Sequence, residues 1–239
     1  MRKAILLLGL ALTLIPAGSS TAFATNDFEC DGVYEGGTFQ KVTVPRYGAC
    51  TLIDSVVTGD VDVLKGAFFQ STGATIRGHL EGRGAQTIFL DTGSVVRGHV
   101  RTRSTIQVYL FFSTVVRSIE VDRASDAVQI CANRVSKGSI QVTRSGTEIR
   151  VGDPLTEDCP GNIVRKGDIS LTRNFTDVEF VVRGNTISSG DLTVYKNTGP
   201  VPKFVQNNTG GNVLRCARMS SPFSMSGNSS WVTLTGQCA

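Results

Sequence analysis

The sequence predicts an all-β fold: a single-stranded parallel β-helix, or solenoid, of about eight coils of ~20 residues with disulfide-stapled caps. Three observations predict it. A Gly-polar-aliphatic pattern recurs at near-constant spacing, a second β-branched segment follows at a fixed offset, and no stretch beyond the leader shows a sustained helical period.

The repeat appears at Gly59-Asp60-Val61, Gly78-His79-Leu80, Gly98-His99-Val100, Gly138-Ser139-Ile140, Gly167-Asp168-Ile169, Gly190-Asp191-Leu192 and Gly211-Asn212-Val213. A degenerate copy, Arg117-Ser118-Ile119, fills the one gap, so successive steps are 19, 20, 19, 21, 29, 23 and 21 residues. Val128, Ile149 and Val178 each lie nine residues beyond the aliphatic of their own repeat, and mark a second strand per coil. Apolar and polar residues alternate in these segments, as in strands with one buried face. A sandwich of hairpins would need recurrent Asn-Gly or Asp-Gly turns, and only Asp31-Gly32 occurs.

From the N-terminus, Arg2 and Lys3 precede an apolar run over residues 4–15, and Ala22-Phe23-Ala24 supplies a small-x-small cleavage pattern. Residues 1–24 therefore read as a signal peptide and the protein as secreted, extracellular or in the cell envelope. The apolar run is too short to span a membrane, and nothing later in the chain approaches the ~20 residues required. Residues 25–56 are expected to form an N-terminal cap, 57–216 the solenoid and 217–239 a C-terminal cap. The 29-residue step holds Asp153-Pro154 and Cys159-Pro160-Gly161, an insertion that must bulge outward.

Six cysteines, an even number in an exported chain, read as disulfides. Of the fifteen possible pairings, the sequence-neighbour set is favoured because its loops are of similar length: Cys30–Cys50, Cys131–Cys159 and Cys216–Cys238. Each contributes about 2–4 kcal/mol by restricting the unfolded chain.

The rhythm resembles right-handed parallel β-helix proteins and the bactofilin-like solenoids. The run Gly190-Asp191-Leu192-Thr193-Val194-Tyr195-Lys196-Asn197-Thr198-Gly199, with Gln206-Asn207-Asn208-Thr209-Gly210-Gly211-Asn212 and Cys216, resembles the C-terminal part of exported bacterial repeat proteins of unknown function. The resemblance implies a fold and an export route, and no activity. Bactofilins are cytoplasmic filament formers without a leader or disulfides, so filament formation does not carry over and a monomer is expected.

Stacking converts the repeat into outward columns. The residues before the glycine read Thr58, Arg77, Arg97, Val116, Lys137, Lys166 and Ser189; those after it read Asp60, His79, His99, Ser118, Ser139, Asp168 and Asp191. Arg77 and Arg97, with Arg101 close by and His79 and His99 in the adjoining column, are candidate ligand-binding residues for an anionic glycan or envelope polymer. The plain alternative is a face neutralised by Asp62, Glu81 and Glu120. His79 and His99 share a column, but a metal site needs further ligands and Glu81 alone is near, so neither metal nor cofactor is expected. Asn, Ser and Thr at the turns are expected to hydrogen-bond along the stack. Sequons occur at Asn174, Asn207 and Asn228.

The net charge of +4, from 24 basic and 20 acidic residues, is too small for a dedicated nucleic-acid binder. No nucleophile-elbow, zinc or phosphate-loop motif is present, and no catalytic residue is assigned. The function expected is noncatalytic: a rigid surface for a glycan, matrix or protein partner. The alternative is a β-helix polysaccharide lyase or glycoside hydrolase, with Asp60 and Asp62, or Asp168 and Asp191, as its carboxylates.

Overall fold

The computed structural model describes residues 27–155, 159–220 and 222–239. The leader expected over residues 1–24 lies outside them. The chain winds as a parallel β-solenoid whose coils contribute strands to three sheets, the last coils reaching the third only through isolated bridges at Thr209 and Ser229. Among the described residues sheet A has eleven strands, from Phe28–Glu29 to Thr233–Gly236; sheet B has ten, from Gly32–Glu35 to Phe223–Ser226. Sheet C consists of eight two-residue strands, from Thr38–Phe39 to Thr186–Ile187.

The repeat's aliphatic residue sets the register. Val42, Val61, Leu80, Val100, Ile119, Ile140, Ile169, Leu192 and Leu214 are successive partners on sheet A, and all point into the core. On sheet B the matching column is Cys50, Phe69, Ile88, Val108, Val128, Ile149, Phe180 and Lys203. Strands buried on one face and hydrogen-bonded on both edges leave little backbone to satisfy elsewhere.

Two expectations need correction. The stack has about ten coils rather than eight, because residues 28–57 already pair in register with the coils that follow although they lack the glycine rhythm. At ~4.8 Å per coil the rod is about 48 Å long. The second correction concerns Val178, which is 60% exposed. A bulge between Thr147 and Glu148 and the facing strand Phe175–Arg183 admits two extra residues, so Phe180 takes the core position opposite Ile149.

The corners follow a rule of their own. Most turns from sheet A to sheet B, and most from B to C, place one residue in the left-handed region and the next residue inward. Examples are Arg144-Ser145, Arg173-Asn174 and Lys196-Asn197 at the first corner, and Asp54-Ser55, Gly93-Ser94, Phe112-Ser113, Ala132-Asn133 and Asn207-Asn208 at the second. The inward amides stack. The Asn162 N–H and Nδ2 both donate to Asn185 Oδ1, at 3.0 and 2.9 Å, and Asn185 repeats this onto Asn208 at 3.1 and 2.9 Å. Each Nδ2 also reaches a strand carbonyl, as Asn185 does to Val151 O at 2.7 Å. The amide ladder expected from the turn composition is thus a buried structural column.

The three disulfides pair as favoured, and Cys131–Cys159 straps the insertion to the outer face of sheet B. There Arg183 Nη1 donates to Asp153 Oδ1 at 2.8 Å, both side chains nearly buried, and the guanidinium lies over the Phe204 ring. Disulfides of this kind suit an oxidising, extracytoplasmic compartment. No helix among the described residues is long and apolar enough to cross a membrane.

Candidate functional site

The corner between sheets C and A is where the repeat's glycines lie. A Cβ at Gly98 would stand 2.3 Å from Gly78 O of the preceding coil, and one at Gly167 2.3 Å from Gly138 O. Close approach of successive coils leaves no room for a side chain at these two glycines, and the residue after the glycine uses the proximity.

That residue accepts a hydrogen bond from the backbone of the next coil. The His79 N–H donates to Asp60 Oδ1 at 2.6 Å, the His99 N–H to His79 Nδ1 at 3.0 Å, and the Ser118 N–H to His99 Nδ1 at 3.4 Å. The chain continues through Ser139 N–H to Ser118 Oγ, Asp168 N–H to Ser139 Oγ, Asp191 N–H to Asp168 Oδ1 and Val213 N–H to Asp191 Oδ1, at 3.2, 3.0, 2.8 and 3.1 Å. Asp, His and Ser share one property that this column needs: an acceptor atom two or three bonds from Cα.

This geometry accounts for residues that composition singled out as chemistry. The His79 and His99 rings stack at 5.3 Å and 18°, but each turns Nδ1 to a backbone N–H and keeps its proton on Nε2. Burial, then the Arg101 charge, holds the His99 pKa below the usual imidazole value. Among the described residues no group of three or more His, Cys, Asp or Glu gathers as a metal site. Asp60, Asp168 and Asp191 each hold a backbone N–H, and Asp62 pairs with Lys41 Nζ at 2.9 Å. Each of the four carboxylates named for a lyase or hydrolase thus also has a partner within the scaffold.

The charges divide between two surfaces. Sheet A carries a groove of about 510 Å³ lined by Glu81, Arg101, Arg103, Glu120, Asp122 and Arg144. Its cations are paired from within: Arg101 Nε meets Glu120 at 3.0 Å, Arg83 meets Glu81 at 3.0 Å, and Arg144 and Arg103 share Asp122 at 2.6 and 3.6 Å. Burial alone would raise the Asp122 pKa; hydrogen bonds from Arg144 and Thr143 and the nearby Arg144 and Arg123 charges outweigh it and hold the carboxyl below its usual range. Arg101, grouped with Arg77 and Arg97 from the sequence, belongs to this self-paired face.

The edge beside it differs. Arg77 and Arg97 sit on adjacent coils, as their stacking predicts. Arg117, Lys137, Arg165 and Lys166 continue the line over the next three coils, and all six side chains are exposed. None of the six forms an ion pair among the described residues. Arg97, Arg117 and Lys137 converge with His99 and Val116 on one cleft of about 470 Å³. Arg117 and Arg165 were not singled out from the sequence. The signal was available in the degenerate copy, where Arg117 replaces the glycine, and its backbone N–H still reaches Gly98 O at 3.3 Å.

Of the sequons, Asn174 lies in the buried ladder and Asn228 at the end of the other one, while Asn207 is exposed. Comparison of the chain with family models, with characterised proteins and with solved structures finds no match.

Proposed function

We propose that this protein is a secreted, noncatalytic solenoid whose C–A edge binds an anionic polymer, an acidic glycan or envelope polymer, along its length. The observation that carries this reading is the contrast between the two neighbouring surfaces. Every arginine lining the sheet A groove pairs with one of three carboxylates, Asp122 serving both Arg103 and Arg144, whereas the six cations on the edge form no ion pair among the described residues over five coils. Like charges held at strand spacing repel, and a fold that could place a carboxylate on any neighbouring coil leaves this line open. Three disulfides and the leader-like N-terminus support export.

The test is a binding screen against acidic and neutral polysaccharides, using the parent chain and a variant with Arg77→Ser, Arg97→Ser, Arg117→Ser and Lys137→Ser. Acidic polymers should be retained by the parent, released by moderate salt, and lost by the variant. Equal retention by both would sink the reading. A second variant, Arg101→Ser with Arg103→Ser, should bind as the parent does.

A further inference from the structure

The basic edge has a period as well as a sign. Its cations advance by one coil at a time: Arg77, Arg97, Arg117, Lys137 and Lys166 lie on five successive coils, each followed by the next across a sheet C ladder. The line shifts sideways by one residue between Arg97 and Arg117, where Arg117 N–H pairs with Gly98 O, and the cleft formed by Arg97, Arg117 and Lys137 spans that shift. The line is finite. Thr58 precedes it on one side, and Ser188 and Ser189 follow it on the other, so no cation stands at the matching place on the flanking coils.

We infer that the polymer is a linear polyuronate, one carboxylate per sugar, lying parallel to the solenoid axis with about five sugars in contact. This rests on the function proposed above and narrows it. Three features select this ligand. Successive cations rise by ~4.8 Å, close to the length of one pyranose unit in an extended chain, so one carboxylate per sugar meets one cation on each of the first four coils and the Arg165–Lys166 pair on the fifth. A sulfated polymer, with several charges per sugar, would leave much of its charge unmatched, and phosphates in a stacked nucleic-acid strand recur about every 3.4 Å. The flanks of the line also suit sugars better than bases. Thr75 and Thr114 on sheet C and the His99 imidazole offer hydrogen bonds to hydroxyls, and no Phe, Tyr or Trp lines the cleft to stack a base.

The experiment measures binding of end-labelled oligogalacturonates of two to eight sugars to the intact protein by fluorescence anisotropy. Heparin-derived oligosaccharides of equal length and a single-stranded oligonucleotide serve as competitors. Affinity should rise with each sugar up to about five and then level off, since further carboxylates pass beyond Arg77 or Lys166. Removing one central cation, by Arg117→Ser, should weaken the five-sugar ligand about tenfold while leaving the two-sugar ligand's weak binding within a few-fold. Thermal unfolding of that variant checks that the exposed substitution leaves the coil intact.

Heparin fragments or the oligonucleotide binding more tightly than the uronate, or affinity that climbs steadily through eight sugars, would overturn the polyuronate assignment. If those stronger ligands still lose affinity in Arg117→Ser, the broader polyanion reading survives that result. No binding by any acidic polymer would overturn both.

Discussion

His99 shows how a single residue type meets two demands. Its Nδ1 accepts the Ser118 N–H, which requires the neutral ring, and its side chain lines the cleft. Burial is the largest influence lowering its pKa; the charges of Arg101, His79 and Arg117 act in the same direction, and Glu120, 3.5 Å from Nδ1, acts against them. The unfolded chain therefore binds the proton more readily than the folded one. The stability this residue contributes is complete above an unfolded pKa of about 6.5 and is lost as pH falls through the lower folded value. Ser118 and Ser139 perform the same backbone role with a hydroxyl, so His99→Ser should retain the fold. Thermal melts between about pH 7 and pH 5 should show a smaller acid-induced decline in Tm for the variant than for the parent. Parallel curves would show that the imidazole carries no acid sensitivity. Histidine in this column was readable as a stacked pair, but its use as a backbone acceptor was not. That use depends on the coil-to-coil approach at Gly78 and Gly98, which no local pattern reveals.

At the level of elements, the corners hold what the strands cannot supply. A parallel strand satisfies its own backbone, but a turn buried between two sheets must satisfy carbonyls without water. The left-handed residue turns the chain, and the Asn or Ser that follows points inward to meet those carbonyls. Asn185→Ala would remove the acceptor for both Asn162 groups and the donor to Val151 O and Asn208 Oδ1. With buried unpaired polar groups costing roughly 1–3 kcal/mol each, the variant should lose about 3 kcal/mol or more in urea unfolding. Thr186→Ala, one residue on and facing solvent, should change stability by less than ~0.5 kcal/mol. A loss for Asn185→Ala no larger than that of the control would show that the ladder is not a source of stability. The sheet A and sheet B strands were legible because Val61, Leu80 and Val100 recur beside a glycine and a second apolar segment follows. Sheet C was not, because pairs such as Val56–Val57 and Val95–Val96 are too short to display a period. The coils over residues 28–57 do not show the repeat for a similar reason: Gln40 and Lys41 stand where later coils carry the glycine and its polar neighbour. Val178 kept the nine-residue offset of its predecessors, and the two-residue bulge that displaces it has no marker in the sequence.

Across the whole molecule, stability is a sum over neighbouring coils, so the terminal coils carry a burden that the middle ones do not. At the first, Phe28, Tyr34 and Phe39 pack as an aromatic cluster beside the Cys30–Cys50 bridge. At the other end Phe223, Met225 and Trp231 pack against the core, the indole covers Gly210 and donates to Asn208 O at 3.3 Å, and Cys216–Cys238 ties the last strand of sheet A down. Removing residues 218–239, with Cys216→Ser to avoid a free thiol, would uncover the strands Lys203–Gln206 and Val213–Ala217 along their full hydrogen-bonding edges. It would also expose the core ends of Leu214, Val205 and Lys203; the Lys203 ammonium is now fully enclosed, donates to Gly199 O and Val201 O, and has its pKa pushed down by burial. An uncovered parallel edge is a template for another strand, and the opposite end of a second copy presents strands of the same spacing. The shortened chain should associate with increasing concentration in light scattering and form rods by electron microscopy, while the parent stays monomeric over the same range. If the shortened chain also stays monomeric and melts near the parent's temperature, the final coil is not what keeps the rod from growing. Another feature, such as the unmatched charge along its edge repelling a second copy, must then do so.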